Sequence, residues 1–204
     1  MLDFHSTLTT ETRMPAAAIT RRAIQLDAFG NADVLQLREE QIAPPAQGEV
    51  QLRQIAMGFN YIDIYQRSGK YPLSLPTGLG HEAAGIVEAV GPDVTDFSVG
   101  DRVIYMNAGI GAYTDRRNVD ATKLARIPDG VDELTAAAVF FKAMTAEYLL
   151  RKTYVVKPGD VVLVHAAAGA VGQGLSRCAK ALGAYVTGTA GSEDKCEIAR
   201  KAGC

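Results

Sequence analysis

Residues 161–172 have the sequence VVLVHAAAGAVG, four aliphatic residues followed by a short turn that ends in glycines. An uninterrupted aliphatic run of this kind is typical of a strand that is covered on both faces. Residues 175–182 then follow helical spacing, with Gly183 as a stop, and residues 184–189 (AYVTGT) have the composition of a second strand. Strand, glycine turn, helix and strand within about 30 residues predict one right-handed βαβ unit.

The glycine turn matches two positions of the dinucleotide-binding fingerprint. Such a site needs a tight turn, a backbone that can approach a pyrophosphate, and a helix N-terminus with free amides. Gly169 and Gly172 fit the second and third glycines, and Ala167 occupies the first position. Close helix–strand packing also explains an isolated pair of glycines, but the surrounding βαβ unit favours cofactor binding. The predicted cofactor-binding residues of the turn are Ala168, Gly169, Ala170, Val171 and Gly172.

The end of the second predicted strand indicates which cofactor is bound. An NAD enzyme usually places a carboxylate about 20 residues beyond the turn, where it bonds the ribose 2′-hydroxyl. Ala190 stands near that distance here, followed by Gly191. A 2′-phosphate would instead be held by donors such as the Ser192 hydroxyl and the Lys195 ammonium group. Lys195 is alternatively a solvated lysine beside two acidic neighbours. We expect NADPH rather than NADH.

Residues 19–128 have a different pattern, with short apolar segments between glycines and prolines. Residues 49–55 (EVQLRQI) alternate strictly, which predicts a strand with one buried face. Residues 82–90 (EAAGIVEAV) predict a strand that stops at a Gly-Pro pair. Further strands are predicted at residues 23–26, 34–38 and 99–105. Many short strands of this kind predict a small barrel or sandwich.

After this region the pattern becomes α/β. Residues 132–139 predict a helix that begins with acidic residues, and residues 143–151 predict a second helical stretch. We therefore divide the chain into an extension outside the fold at 1–18, a catalytic domain at 19–140 and a partial nucleotide-binding domain at 141–204. A parallel sheet of two strands has unpaired edges and an uncovered apolar face. We therefore expect a truncated chain, about 120 residues short of the whole.

Composition and charge exclude several classes of protein. The net charge of −2 gives no general attraction to nucleic acid or acidic lipid, and no segment is apolar enough to cross a membrane. Cys178, Cys196 and Cys204 have no spacing typical of a metal site and predict free thiols in a reducing cytosol. The N-terminus has no export signal. We expect a cytoplasmic protein without a membrane partner.

Four motifs follow one another along the chain and together indicate a family. They are residues 58–72 (GFNYIDIYQRSGKYP), 80–85 (GHEAAG), 141–145 (FKAMT) with 149–154 (LLRKTY), and 165–172 (HAAAGAVG). Together they resemble the medium-chain dehydrogenase/reductase superfamily, and most closely its zeta-crystallin-like NADPH:quinone oxidoreductase branch. The resemblance implies a GroES-like β-barrel catalytic domain, a Rossmann-type domain, a cleft between them and usually a homodimer. Ala170 and Arg177 depart from the glycine and glutamine of many relatives, and we expect cofactor binding to survive both changes.

The resemblance also bears on metal binding. Zinc alcohol dehydrogenases of this superfamily use a cysteine at the position of Asn60, the histidine at His81 and a cysteine near Lys142, because catalytic zinc needs three protein donors. An imidazole with an amide and an ammonium group is not a zinc site. We expect no metal and interpret His81 as a hydrogen-bonded histidine near the cleft floor. Without a Lewis acid, alcohol oxidation is disfavoured.

A quinone acceptor fits a metal-free cleft. A quinone is already electrophilic, so hydride transfer needs mainly apposition with the nicotinamide and modest hydrogen bonding. By the resemblance, the residues expected around the acceptor and the nicotinamide ribose are Asn60, Asp63, Tyr65, Tyr71, Lys142 and, on the cofactor side, Thr145. Tyr71 could alternatively pack a turn before Pro72, and Asp63 could alternatively pair with a nearby base.

These arguments predict a zinc-independent, NADPH-dependent quinone oxidoreductase that transfers hydride or electrons to a small-molecule quinone. One alternative is an enal or enone reductase on the same scaffold, because an activated double bond also accepts hydride. Another is a cofactor-binding protein without turnover, either crystallin-like or RNA-binding. The RNA-binding version lacks a strand rich in basic and aromatic residues.

Overall fold

Short antiparallel strands form the first part of the chain. The computed structural model describes residues 19–204, and the extension predicted at residues 1–18 lies outside the described residues. The strands of this part are β1 (Ile19–Leu26), β2 (Gln36–Ile42), β3 (Glu49–Gly58), β4 (Thr77–Gly78), β5 (Glu82–Val90), β6 (Arg102–Met106), β7 (Arg116–Asp120) and β8 (Leu124–Arg126). A short helix, α1 (Tyr61–Arg67), follows β3.

The strands pair into two sheets, and an apolar core lies against the five-stranded one. One sheet has the order β7–β3–β5–β6–β8 and the other β2–β1–β4, with every pairing antiparallel. Irregularities between β3 and β5 interrupt the register, as bulges do where a sheet bends. The interior is filled by fully buried side chains, among them Val50, Leu52, Val103 and Tyr105. This architecture agrees with the predicted small barrel of short strands.

Individual strand predictions differ in accuracy. The strand predicted at residues 82–90 has the observed bounds of β5. Residues 32–34 instead form a 3₁₀ turn, and β2 begins only at Gln36. Similarly, β6 begins at Arg102 rather than at residue 99, because Gly100 has a φ of +95° and belongs to the preceding turn. The strands β4, β7 and β8 were not predicted.

One helix replaces the two helical stretches predicted at residues 132–139 and 143–151. Helix α2 (Glu133–Tyr148) is continuous, and Leu149–Thr153 continues it as a wider π turn. The prediction of two stretches was wrong because the segment between them contains neither glycine nor proline to stop a helix. The division proposed between residues 140 and 141 therefore falls inside a helix, and the domain boundary stays a prediction.

Helix α2 is shared by both parts of the chain. Its Ala136 and Ala137 pack against apolar side chains of the barrel, including Ala84 and Ile104. Further along, α2 packs against the helix that follows the glycine turn, and a Cβ placed on Gly174 of that helix would lie 3.4 Å from Cβ of Ala146. The position of Lys142, between these contacts, is therefore fixed relative to both parts.

The βαβ unit predicted from residues 161–189 is confirmed. Strand β9 (Val161–Val164) leads through the glycine turn into α3 (Ala170–Ala181), and β10 (Tyr185–Gly188) pairs with β9 in parallel. Gly183, with a φ of +88°, follows α3 in the left-handed conformation that ends many helices. Helix α4 (Glu193–Ala202) comes next. Residues such as Leu150, Val156 and Ala179 form the apolar core of this unit.

The cysteines form no disulfide bonds within residues 19–204. Cys178, Cys196 and Cys204 are all free thiols. Within residues 19–204, the longest helices are too short and too polar to cross a membrane.

Candidate active site

A cleft of about 500 Å³ lies where the barrel meets the glycine turn. Its lining consists of Phe59, Asn60, Tyr61, Lys142, His165, Ala166, Gly169, Ala170, Val171, Gly172 and Leu175. The fold thus brings Asn60 and Lys142 together with four of the five turn residues predicted from the sequence. Their binding roles stay predictions, but their proximity is an observed feature of the structure.

The glycine turn is closely packed and leaves its helix uncapped. Gly169 is the N-cap of α3, and no side chain within residues 19–204 bonds to the amides of the first turn. These amides belong to Ala170, Val171 and Gly172, which all line the cleft. Because free N–H groups and the helix dipole both favour negative charge, this end of α3 suits a diphosphate group. A dinucleotide cofactor therefore fits the residues that are present.

The carboxyl ends of β9 and β10 are joined by a side-chain contact. His165 Nδ1 lies 3.1 Å from Thr189 Oγ1, and the His165 ring also lines the cleft. Among the predicted residues nearby, the carbonyl oxygen of Ala168 accepts a hydrogen bond of 2.9 Å from Gln173 Nε2. This bond braces the turn from inside α3, so Ala168 contributes to the shape of the turn rather than to the lining of the cleft.

The predicted phosphate donors lie at the start of α4. Ser192 is the N-cap of this helix, and its Oγ accepts a hydrogen bond from the Lys195 N–H at 3.4 Å. The hydroxyl proton of Ser192 is therefore available to a ligand. Glu193 is paired with Arg200 at 2.8 Å, which directs its carboxylate along the helix. Lys195 is exposed and forms no ion pair with any residue of the described range 19–204, and Gly191 is exposed beside it.

A buried carboxylate lies behind Asn60 and Lys142, outside the lining of the cleft. Glu82 is 0% exposed and is paired with the Lys142 ammonium group. Asn60 Nδ2 donates to Glu82 Oε1 at 3.0 Å, and the N–H of Phe141 donates to Oε2 at 3.0 Å. The sequence arguments did not nominate Glu82. The available signal was a charged residue at the start of the strand predicted at residues 82–90.

Asp63 does not reach the cleft. Its carboxylate is 1% exposed, and Oδ2 accepts hydrogen bonds from the N–H of Asn60 at 2.8 Å and the hydroxyl of Tyr113 at 2.7 Å. The former bond caps α1 and fixes the backbone that carries Asn60. Burial, together with this carboxylate, raises the pKa of Tyr113, so its hydroxyl remains a donor. The alternative in which Asp63 pairs with a base has no counterpart, since no basic group among residues 19–204 contacts it.

Three tyrosines form a row along α1 and the turn that follows it. The ring centroids of Tyr61 and Tyr65 are 6.0 Å apart, and those of Tyr65 and Tyr71 are 5.3 Å apart. Lys70 Nζ lies 4.4 Å from the centroid of the Tyr65 ring. Only Tyr61 of this row lines the cleft, together with Phe59. The predicted residues Tyr65 and Tyr71 therefore lie behind Tyr61 rather than in the lining.

Phe59 and Tyr61 were missed by the sequence arguments. They are 63% and 72% exposed, which is unusual for aromatic side chains and leaves their faces open to a ligand. The sequence feature that could have identified them is their position immediately before and after Asn60. Thr145, one turn beyond Lys142 on α2, donates its hydroxyl proton to the carbonyl oxygen of Phe141 at 2.8 Å.

Asn60, His81 and Lys142, which stand where related zinc enzymes have their ligands, each have another partner in this structure. His81 is buried, with Nε2 2.9 Å from Gln66 Oε1 and its ring centroid 6.4 Å from that of Phe141. Lys142 is paired with Glu82, and an ammonium group has no lone pair to offer a cation. Among residues 19–204, no group of three His, Cys, Asp or Glu side chains is placed to hold a metal ion. The zinc-independent assignment stays a prediction.

A barrel packed against the glycine turn of a βαβ unit is the two-part architecture typical of dinucleotide-binding dehydrogenases and reductases. Residues 46–129 match the alcohol dehydrogenase GroES-like domain family. The chain belongs to the medium-chain dehydrogenase/reductase superfamily, as the resemblance predicted, and the relatives that it matches over about half of their length include quinone oxidoreductases.

Individual relatives agree with this family assignment. A quinone oxidoreductase of Pseudomonas aeruginosa is 48% identical over 183 residues, which are 89% of this chain and 56% of that protein. A 2-haloacrylate reductase of a Burkholderia species is 45% identical over 181 residues, or 86% of this chain and 54% of that protein. The crystal structure of Escherichia coli quinone oxidoreductase complexed with NADPH has a TM-score of 0.87 and 47% identity, covering 90% of this chain and 56% of that one. The chain spans about half the length of these relatives.

Proposed function

We propose that this chain contributes the catalytic cleft of a zinc-independent, NADPH-dependent quinone oxidoreductase. The observation that carries the proposal is that the uncapped N-terminus of α3 and the side chains of Asn60 and Lys142 line one cleft of about 500 Å³. One end of that cleft suits a diphosphate and the other suits an acceptor that gains negative charge. The bound cofactor supplies a hydride from C4 of its nicotinamide ring.

The cofactor half of the cleft binds phosphate groups through the backbone. The first-turn amides at residues 170–172 donate to the diphosphate, and the helix dipole strengthens these bonds. At the end of β10, the hydroxyl of Ser192 and the ammonium group of Lys195 bind a 2′-phosphate, since the acid at Glu193 is directed toward Arg200. These groups are the basis for proposing NADPH over NADH.

The acceptor half of the cleft stabilises developing negative charge. When a quinone accepts the hydride, one of its carbonyl oxygens becomes a phenolate, and the Lys142 ammonium group and the Asn60 amide donate hydrogen bonds there or to the cofactor ribose. A proton from water then completes the hydroquinone. The overall balance is quinone plus NADPH plus one proton, giving hydroquinone plus NADP⁺. The exposed faces of Phe59 and Tyr61 bind the flat acceptor.

The experiment is to follow NADPH absorbance with purified full-length protein and a simple benzoquinone. We expect steady oxidation of NADPH that depends on both enzyme and quinone, with a lower rate for NADH. Retention of that rate after dialysis against a strong chelator is expected, because no step uses a metal. The absence of turnover with every benzoquinone and naphthoquinone tested contradicts the proposal.

An activated-alkene reductase is the second candidate, favoured by the 45% identity with the 2-haloacrylate reductase. An alkene conjugated to a carboxylate or carbonyl is also a hydride acceptor, and the same ammonium group would stabilise its enolate. Parallel assays with 2-chloroacrylate, an alkenal and benzoquinone separate the two. A higher kcat/KM with either alkene than with benzoquinone assigns the alkene activity instead.

The proposal has further parts, of which the assembly rests on the family resemblance and the other two rest on the sequence patterns described above. They are a homodimeric assembly, a cytoplasmic location, and a division into a catalytic domain at 19–140 and a nucleotide-binding domain at 141–204. Size-exclusion chromatography with light scattering tests the assembly, and an elution at the mass of one chain contradicts it.

A further inference from the structure

We propose that Glu82 is a positioning residue, whose buried carboxylate holds Asn60 and Lys142 in the orientation that the cleft requires. This inference rests on the proposed reductase function. Glu82 does not line the cleft, whereas both of its side-chain partners do. Its effect on catalysis therefore passes through those partners.

The contacts of Glu82 connect three separate segments. The carboxylate is carried by β5, Asn60 precedes α1, and Lys142 with Phe141 belongs to the middle of α2. Oε1 accepts from Asn60 Nδ2 at 3.0 Å and from the Lys142 ammonium group, and Oε2 accepts from the Phe141 N–H at 3.0 Å. One carboxylate thus fixes the distance between the segment of Asn60 and the helix of Lys142.

Burial makes this arrangement costly unless it is fully paired. Glu82 is 0% exposed and the side chain of Lys142 is 11% exposed, so both charges have lost most of their hydration. Such charges are tolerated only with a close partner and additional hydrogen bonds, which Asn60 and Phe141 supply. Lys142 also lines the cleft, so the N–H donors that Glu82 does not accept are available there.

The backbone leaves space for this carboxylate at Gly58. A Cβ on Gly58 would lie 2.1 Å from Glu82 Oε1 and 2.3 Å from Cδ. Any larger residue at position 58 would displace the carboxylate without changing its charge. Gly58 therefore provides a second, independent way to disturb the same interaction.

The test compares Glu82→Gln, Glu82→Asp and Gly58→Ala with the wild type. Glutamine keeps the shape of glutamate but loses its charge. In either orientation its amide NH2 group faces a donor, either the Phe141 N–H or the pair Asn60 and Lys142. We expect kcat with benzoquinone to fall about a hundredfold in Glu82→Gln, the size of effect expected when a positioned group is misplaced by about 1 Å. The Kd for NADPH should change far less than kcat, because the α3 amides and Ser192, which are proposed to bind the phosphate groups, are untouched. Glu82→Asp, which keeps the charge, should recover part of kcat, and Gly58→Ala should lower it.

A mutant cycle distinguishes positioning from a general loss of structure. If Glu82 acts through Asn60 and Lys142, adding Glu82→Gln to a variant that already carries Asn60→Ala and Lys142→Met should lower kcat by no more than about threefold further. A full additional hundredfold loss, or a Glu82→Gln variant within about twofold of wild-type kcat, overturns the proposal. Thermal unfolding of each variant identifies any that fails to fold, and Gly58→Ala or Glu82→Asp then serves in its place.

A readout without turnover separates this inference from the proposed function. Limited acylation of lysines, followed by mass spectrometry, should modify Lys142 several-fold faster in Glu82→Gln than in the wild type, with exposed Lys195 as the internal standard. If Lys142 becomes reactive but no quinone is reduced by the wild type, the positioning role stands and the reductase function fails. An unchanged rate of Lys142 modification in a folded Glu82→Gln variant contradicts the positioning role itself.

Discussion

A Cβ on Gly172 would lie 2.5 Å from the carbonyl oxygen of Ala166, closer than any real Cβ contact. Ala166 itself has a φ of +50°, so the turn has little room to move away. We expect Gly172→Ala to displace the first turn of α3 and to raise the Kd for NADPH by about tenfold or more, a loss of about 1.4 kcal/mol in binding. Quenching of NADPH fluorescence measures the change.

Gly174→Ala is the matched control for this substitution. It lies on the same helix, and its Cβ would meet only Cβ of Ala146 at 3.4 Å, so the turn should keep its shape. Equal NADPH affinity for Gly172→Ala and the wild type would contradict the role assigned to the turn.

The choice between NADPH and NADH provides a second prediction. Lys195→Ala, alone or with Ser192→Ala, removes donors near the proposed 2′-phosphate but none near the diphosphate. We expect the Kd for NADPH to rise about tenfold, as for the loss of one charge-assisted hydrogen bond, while the Kd for NADH stays the same. Lys201→Ala, on the same helix but near Glu197, is the control. If Lys195→Ala weakens NADH and NADPH equally, the phosphate site lies elsewhere.

The fold was predictable wherever a local pattern determines it. The βαβ unit is confirmed because its strand, turn, helix and strand are consecutive and each has its own signal in the sequence. Strand β7 escaped prediction because its sequence, RRNVD, is polar and only Val119 is buried. It is a strand because β3 pairs with it, a contact between segments more than 60 residues apart that no local pattern reveals.

Fewer of the site residues could be predicted, because most of the contacts that form the site join segments far apart in the sequence. The glycine turn is local, and its residues line the cleft as expected. Asn60 and Lys142 were nominated only through family resemblance. Glu82, which connects them, was not nominated, because the local sequence of β5 predicts a strand but does not show that its first residue is a charge with partners on other elements. Tyr65 and Tyr71 were nominated and Tyr61 was not, since which of these rings lines the cleft depends on how α1 packs, and the sequence does not show that packing.

The aromatic lining of the cleft leads to a third prediction. Tyr61 lies in the lining, whereas Tyr71 is separated from it by the Tyr65 ring. Tyr61→Ala should raise KM for a naphthoquinone about two- to tenfold, in line with 0.5–1.5 kcal/mol for an aromatic contact. Tyr71→Ala should have a smaller effect, and kcat should change little in either variant. A larger effect of Tyr71→Ala than of Tyr61→Ala would restore the assignment made from the sequence.

The start of α2 leads to a prediction about stability and pH, which bears on the site because α2 carries Lys142. The Asp132 carboxylate accepts the Thr135 N–H at 2.6 Å, and this bond lowers the pKa of Asp132 below its ordinary value of 3.8. The folded state therefore favours the charged form. Its contribution to stability is complete above the unfolded pKa and is lost as the pH falls through the lower folded value.

We therefore expect Asp132→Ala to lower Tm by about 3 °C at pH 7, as for the loss of an N-cap in a chain of this size. The difference from the wild type should shrink below about pH 4, because protonation then weakens the same cap in the wild type. Asp129→Ala, an exposed acid three residues earlier, is the control and should change Tm little at either pH. A constant difference between Asp132→Ala and the wild type from pH 7 to about pH 2.5 would mean that the cap does not depend on the charge of Asp132, and that the linkage argument fails.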